Sequence, residues 1–339
     1  MYKHLTIALS CTITGWAIAA STDLDKLLRG EAFTDPTYVA SMPADWQEQA
    51  VQYDRAVKNA DLVISLGQQT FPALNATVNQ FARQHGLNIV IQSGTCGISA
   101  GKLLRKTIDS GTFCCPPGKN DRMPGLEFHT IAISPIAIIV NSKNPLQDIS
   151  LDQARKVFQG LIRNWPVLLS DKTFSDTLTP VGRLHCKTRP GHWTGLLRNQ
   201  DLFGPNLIEK GVIPDLIAMV AREKNTISIE TPFMVQNYAP PNSVKLLSLN
   251  GVSPLQLDKL ARAQYPLYRT YSLSTWSNNT VQKKHVLALI RYLEKHIEEH
   301  SQQYSMIPAS TLRKNGWRFK QDELIAEPDG SKLAQAPML

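Results

Sequence analysis

The chain has 339 residues, of which 42% are hydrophobic, with 19 glycines, 21 prolines and a formal charge of +8. That balance excludes a disordered or fibrous chain and leaves room for two domains. The cations are scattered without forming a block of like charge, so the charge favours a small anionic ligand and gives no basis for a nucleic-acid-binding surface.

Lys3 and His4 precede the apolar run Leu5 to Trp16, and Ala17-Ile18-Ala19 offers a small-x-small cleavage pattern. Residues 1–19 therefore read as a secretory signal peptide, with the mature chain beginning near Ala20 and Cys11 discarded. Loss of Lys3 takes the formal charge from +8 to +7. No later segment approaches the roughly 18 apolar residues of a membrane span. The expectation is a periplasmic protein, secreted through its signal peptide and without a membrane span after cleavage. Four cysteines remain, Cys96, Cys114, Cys115 and Cys186, and an even number in an oxidising compartment points to disulfides before metals.

Residues 20–60 read as an N-terminal helical extension on the outside of the first domain. Trp46, Ala50, Tyr53 and Val57 share one face of a helix starting near Pro43. Leu62 to Leu66 is a short buried strand, followed by the turn Gly67 to Pro72 and a helix through Val78 and Phe81. The unit repeats with a strand at Leu87 to Ile91, a turn at Gln92 to Gly97 and a helix at Ile98 to Ile108. Two helix N-termini in series make a natural anion cradle, because their free N–H groups and dipoles favour negative charge.

A third strand ends in Phe113-Cys114-Cys115-Pro116-Pro117-Gly118. The apolar run Phe128 to Asn141 follows, with Pro135 predicting a bend or a crossing between domains. Ser150 caps the next helix, with Gln153 at the capping-box position and Gly160 just past its end, and Asn164-Trp165-Pro166 stops it.

The central segment A-I-I-V-N-S-K-N-P followed by I-S-L-D-Q-A-R-K-V-F-Q-G-L-I-R-N-W closely resembles the periplasmic phosphate-binding proteins of high-affinity phosphate ABC transporters. G-Q-Q-T-F-P-A-L is similar to the family's first phosphate loop, I-Q-S-G-T-C-G to its second and P-V-G-R to the start of its third. The resemblance spans roughly Asp61 to Met306. It implies an α/β fold of the type II periplasmic binding protein class, two α/β lobes with a cleft between them and crossing strands as hinge. Residues 61–135 plus 244–318 would form lobe 1, residues 136–243 lobe 2, and 319–339 a loose C-terminal tail. Val244 to Leu247 and Tyr265 to Arg269 would be return strands into the first lobe, joined there by a helix from Val281 to Glu298.

Carried over residue by residue, the resemblance makes Thr70 and the backbone of Phe71 donors from the first loop, Ser93 from the second and Arg183 from the third. It also marks two departures. Cys115 stands where the family places an aspartate that accepts a hydrogen bond from a protonated oxyanion. Cys186-Lys187-Thr188-Arg189 stands where it places a small Gly-Ser-Gly-Thr cradle. Lys187 and Arg189 either neutralise a more highly charged ligand or form a solvated rim.

Vicinal Cys114 and Cys115 point to opposite sides of a strand and should not bond each other, which leaves Cys96 as a partner for one and Cys186 for the other. With the family's lobes, a bond to Cys186 would bridge the cleft. The other reading of Val181 to Trp193 is a copper or zinc site from His185, Cys186 and His192 with Cys115, since the ligand types suit those metals although the spacing matches no zinc motif. His129, Trp165 and Trp193 read as interior packing residues. The chain has no H-E-x-x-H or Walker motif.

The sequence thus predicts an exported, monomeric solute-binding protein that is not an enzyme and needs no cofactor. It would capture a small phosphate-like anion, with an ABC transporter permease as partner. The rival is a periplasmic metal-binding or redox protein on the same scaffold.

Overall fold

The run from Phe128 to Asn141 is rich in β-branched residues, and Pro135, which has no N–H to give to a ladder, divides it. A computed structural model of the protein describes residues 27–169, 174, 177–278 and 280–328. The signal segment 1–19 and the end of the tail, 329–339, lie outside the described residues.

A short helix α1 (Ala44–Glu48) leads to β1 (Leu62–Gly67), α2 (Phe71–His85), β2 (Ile89–Gly94), α3 (Cys96–Leu104) and β3 (Ser110–Phe113). Next come β4 (Leu126–Pro135), β5 (Ala137–Asn141), β6 (Asp148–Ile149), α4 (Leu151–Phe158), β7 (Thr179–Gly182), β8 (Ile208–Glu209), α5 (Ile213–Arg222), β9 (Thr226–Glu230) and α6 (Pro232–Tyr238). The chain continues through β10 (Val244–Leu249), α7 (Leu257–Ala261), β11 (Tyr268–Trp276), α8 (Thr280–Glu299), α9 (Ser301–Tyr304), β12 (Ile307–Pro308), α10 (Ala309–Lys314), β13 (Arg318–Lys320) and β14 (Glu323–Ala326).

Two six-stranded sheets result, ordered β12-β4-β11-β3-β1-β2 and β6-β10-β5-β9-β7-β8. Pro135 ends β4 in the first sheet, and one residue later β5 begins in the second, so the predicted crossing is where the chain changes lobe. Strands β1, β2 and β3 run parallel, which puts the turns that follow them at one end of the first sheet. The same holds for β7, β8 and β9 in the second. Leu74, Val78 and Phe81 on α2 and Leu289, Leu293 and Ile297 on α8 share one buried cluster with β1 and β11. The capping box of Ser150 and Gln153 forms as predicted, and Gly160 takes φ +73° beyond α4.

Three expectations change. Val244 to Leu249 pairs antiparallel with β5, Leu246 opposite Ile139, in the second sheet. The buried strand β5 has two edges to satisfy, and β9 takes one while β10 takes the other. The return to the first sheet is β11.

The extension's helix stops at Glu48, and Gln49 is already extended at ψ 132°. Lys106 ends it: its Nζ donates to the carbonyls of Trp46 at 2.7 Å, Gln47 at 3.2 Å and Gln49 at 2.7 Å. The extension also straps the segment after β7, with Gly30 N–H donating to Thr194 O and Arg198 N–H to Leu28 O, both at 2.7 Å.

The tail is ordered through the β13–β14 hairpin. Leu324 is 2% exposed and its N–H reaches Thr130 Oγ1 at 3.0 Å, while Glu323 pairs with Arg122 at 2.5 Å. An apolar side chain with a place in the core, next to a carboxylate with a cation to meet, outweighs the polar composition.

Candidate functional site

The turns after β1, β2 and β3 face the turns after β7 and β9 across the two sheets, and cross-lobe hydrogen bonds hold them together. Arg183, 8% exposed, follows β7; its Nε donates to Gly211 O at 3.2 Å and one Nη to Gln68 Oε1 of the first loop at 3.1 Å. Gln69 donates to Glu230 at the end of β9 at 2.9 Å, and the same carboxylate oxygen accepts the N–H of Thr231 at 2.7 Å. Gly118 and Thr188 come close across the lobes, since a Cβ on Gly118 would stand 2.7 Å from Thr188 O.

A second arginine lies deeper. Arg269 on β11 is 1% exposed and donates to Cys114 O at 3.3 Å and to the His192 ring at 2.8 Å, while its buried Nε finds no partner. Burial lowers the pKa of Arg183, Glu230 works against that shift and Arg269 adds to it. The Cys114 sulfur and Glu230 offset the burial of Arg269, and neither arginine forms an ion pair among the described residues.

The predicted donors separate. Thr70 is buried, its hydroxyl bound to Gly67 O at 3.1 Å and Thr112 Oγ1 at 3.0 Å, while Phe71 packs against the core of the first lobe. Ser93 is exposed at the end of β2 and makes no side-chain hydrogen bond among the described residues. Cys115 is fully buried. Lys187 and Thr188 are exposed and, with Arg189, line a groove of about 660 Å³ shared with Arg29, Lys119 and Arg198. Arg189 is spoken for: it makes a two-point pair with Asp121 at 2.7 and 2.6 Å, and this pair raises its pKa against the lowering effect of burial. Of the residues assigned from sequence, Arg183 is the one placed with its charge in the interlobe interior.

The cysteines are free thiols, with no disulfide among the described residues. The sulfurs of Cys96, Cys114 and Cys186 all lie within 4.8 Å of one another, and the Cys114 N–H donates to Cys96 Sγ at 3.1 Å. Cys114 is thus the common neighbour of both expected partners. Hydrogen bonds from Cys115, Cys186 and Cys96 hold the Cys114 thiol well below its ordinary range, whereas Cys96 and Cys115, as donors to it, are raised. Burial pulls His185 down, but the adjacent sulfurs of Cys114 and Cys186 carry it up to about 9. His192 is well below its usual value because of burial and the Arg269 charge. The grouping of His185, Cys186 and His192 as metal ligands is only partly brought together: the His185 ring lies beside the sulfurs of Cys114 and Cys186, but both His192 nitrogens face Arg269.

Sequence reasoning missed Gln68, Gln69, Glu230 and Arg269. Glu230-Thr231-Pro232 is a third strand-to-helix turn, with proline in the first turn of α6, and the signal that found the first two would have found it. Arg269 had none, because a cation within a strand usually faces water.

No protein-family model matches the chain. Among solved structures, an ABC-type phosphate transport receptor from Vibrio cholerae aligns over 73% of this chain and 99% of its own at 18% identity, with a TM-score of 0.58. A phosphate ABC transporter substrate-binding protein from Clostridium perfringens with bound phosphate aligns over 73% and 98% at 16% identity, with a TM-score of 0.61. A Corynebacterium glutamicum OxyR mutant with H2O2 bound aligns over 82% and 73% at 11% identity, with a TM-score of 0.51, so the fold also serves proteins of another kind. The architecture expected from the sequence is therefore the one found: the chain has the two-lobed type II fold of the phosphate receptors.

Proposed function

We propose that this chain is an exported solute-binding protein that captures a small oxyanion between its two lobes, as a monomer delivering to an ABC transporter permease. The observation that carries this reading is buried Arg183, whose guanidinium reaches Gln68 of the first loop without forming an ion pair among the described residues. A desolvated cation without a counter-ion costs several kcal/mol, and an anion accepting charge-assisted hydrogen bonds from it offsets that cost. The fold of the two phosphate receptors supports the same reading. With Cys115 in place of an acceptor carboxylate, the cleft favours an oxyanion that carries few protons. The proposal is binding without catalysis.

Calorimetry with inorganic phosphate and sulfate on the mature chain tests this. Arg183→Ala should weaken binding by about 10- to 100-fold, the worth of a hydrogen bond from a charged donor, with an unchanged melting profile. Equal affinity in the variant, or no heat with either anion, would overturn the assignment.

A further inference from the structure

We infer that Cys96, Cys114 and Cys186 form a three-sulfur site for a thiophilic closed-shell cation, copper(I) or zinc, assembled from both lobes. Cys96 opens α3, Cys114 follows β3, and Cys186 comes from the second lobe's loop after β7. Each is reached by a different segment, and yet their sulfurs converge within 4.8 Å. Sulfurs around one metal at ~2.3 Å stand roughly 4 Å apart, so closing on an ion requires only small side-chain movements. Thiolates select such cations over harder ones.

Three further features fit a metal better than a disulfide. A single disulfide joins only two of these sulfurs, whereas one cation takes all three. The surroundings are cationic: an Arg189 Nη lies 3.9 Å from Cys186 Sγ, and Arg269 is anchored on Cys114 O. Three thiolates around a mono- or divalent cation leave net negative charge, which these guanidinium groups offset. Cys186 also sits at φ +59°, a left-handed conformation unfavourable for a residue with a Cβ; it belongs to the turn that carries the sulfur to the other two. As the metal binds, each thiol that ligates it releases its proton to solvent. Since one ligand comes from the opposite lobe, the metal would bind the closed arrangement and hold it.

The site borders the cleft of the solute reading and shares Arg269 with it, but it is tested without any solute. The full mature chain, reduced and stripped of metal, is titrated separately with zinc and with copper(I) against a chromophoric chelator, and metal content is measured after dialysis. The expected result is about one ion per chain for wild type. Cys96→Ser and Cys186→Ser should each lose at least about 100-fold in affinity, while Cys115→Ser retains the ion. Melting profiles of the apo-proteins identify any variant that fails to fold, and Cys186, in a half-buried loop, is the variant on which the test rests. Stoichiometry below about one-tenth, a Cys186→Ser variant that binds like wild type, or alkylation showing Cys186 in a disulfide in protein isolated without reductant would each overturn the site. Phosphate calorimetry on the metal-free chain separates failure of this site from failure of solute binding.

Discussion

Glu294, half-buried on α8, has its carboxyl raised to about 7, first by burial and then by the charge of Asp322. A carboxylate raised above its ordinary value of 4.5 contributes stability that is fully present below that value and is lost as pH rises through about 7. Glu294→Gln should therefore flatten the decline of the melting temperature between pH 5 and pH 8 and leave the variant more stable than wild type at the upper end. Parallel melts at the two pH values check this, and equal slopes would refute it. The three arginines of the cleft show how neighbours decide what a residue can do. Arg189 is consumed by Asp121, Arg269 supports Cys114 and His192, and Arg183 retains charge toward the opposite lobe. In the sequence these cations look alike, since the partner that distinguishes Arg189 lies 68 residues away.

Among the elements, α1 depends on a side chain far from it. Lys106, 3% exposed, donates to the carbonyls of Trp46, Gln47 and Gln49 around the end of the helix, and its ammonium lies 4.2 Å from the centroid of the Trp46 ring. Lys106→Met keeps the aliphatic stem but removes the donors. It should cost about 2 kcal/mol in urea unfolding and increase hydrogen exchange between residues 40 and 60, with the cleft loops unaffected. The expected shared face does not form: Trp46 is buried and Tyr53 and Val57 pack in the same cluster, but Ala50 is exposed beyond the helix, because local periodicity cannot register a lysine that terminates the helix from outside. The capping box at Ser150, by contrast, was legible because all its partners lie within one turn.

At the scale of the molecule, the ends of the described chain tie the two lobes together. Arg29 pairs with Glu327, and Arg122 with Glu323, so the N-terminal strap and the C-terminal hairpin close over the first sheet and the segment after β7. Ending the chain at Lys320 removes buried Leu324 and both carboxylates. The expected effect is a fall in melting temperature of about 5 °C or more, and an unchanged melt would show that the hairpin adds nothing. What the sequence determined by itself was the local and periodic part. It fixed the parallel strand-to-helix units, the break at Pro135 where the chain changes sheet, the capped helix after it and Arg183 at the mouth of a loop, all set by neighbours a few residues apart. Tertiary structure alone decided that β10 belongs to the second sheet, that Arg269 and Glu230 lie in the cleft, and that Cys186 meets Cys96 and Cys114 of the other lobe. Those outcomes depend on which distant surfaces meet when two lobes close, and no sequence period or spacing encodes that meeting.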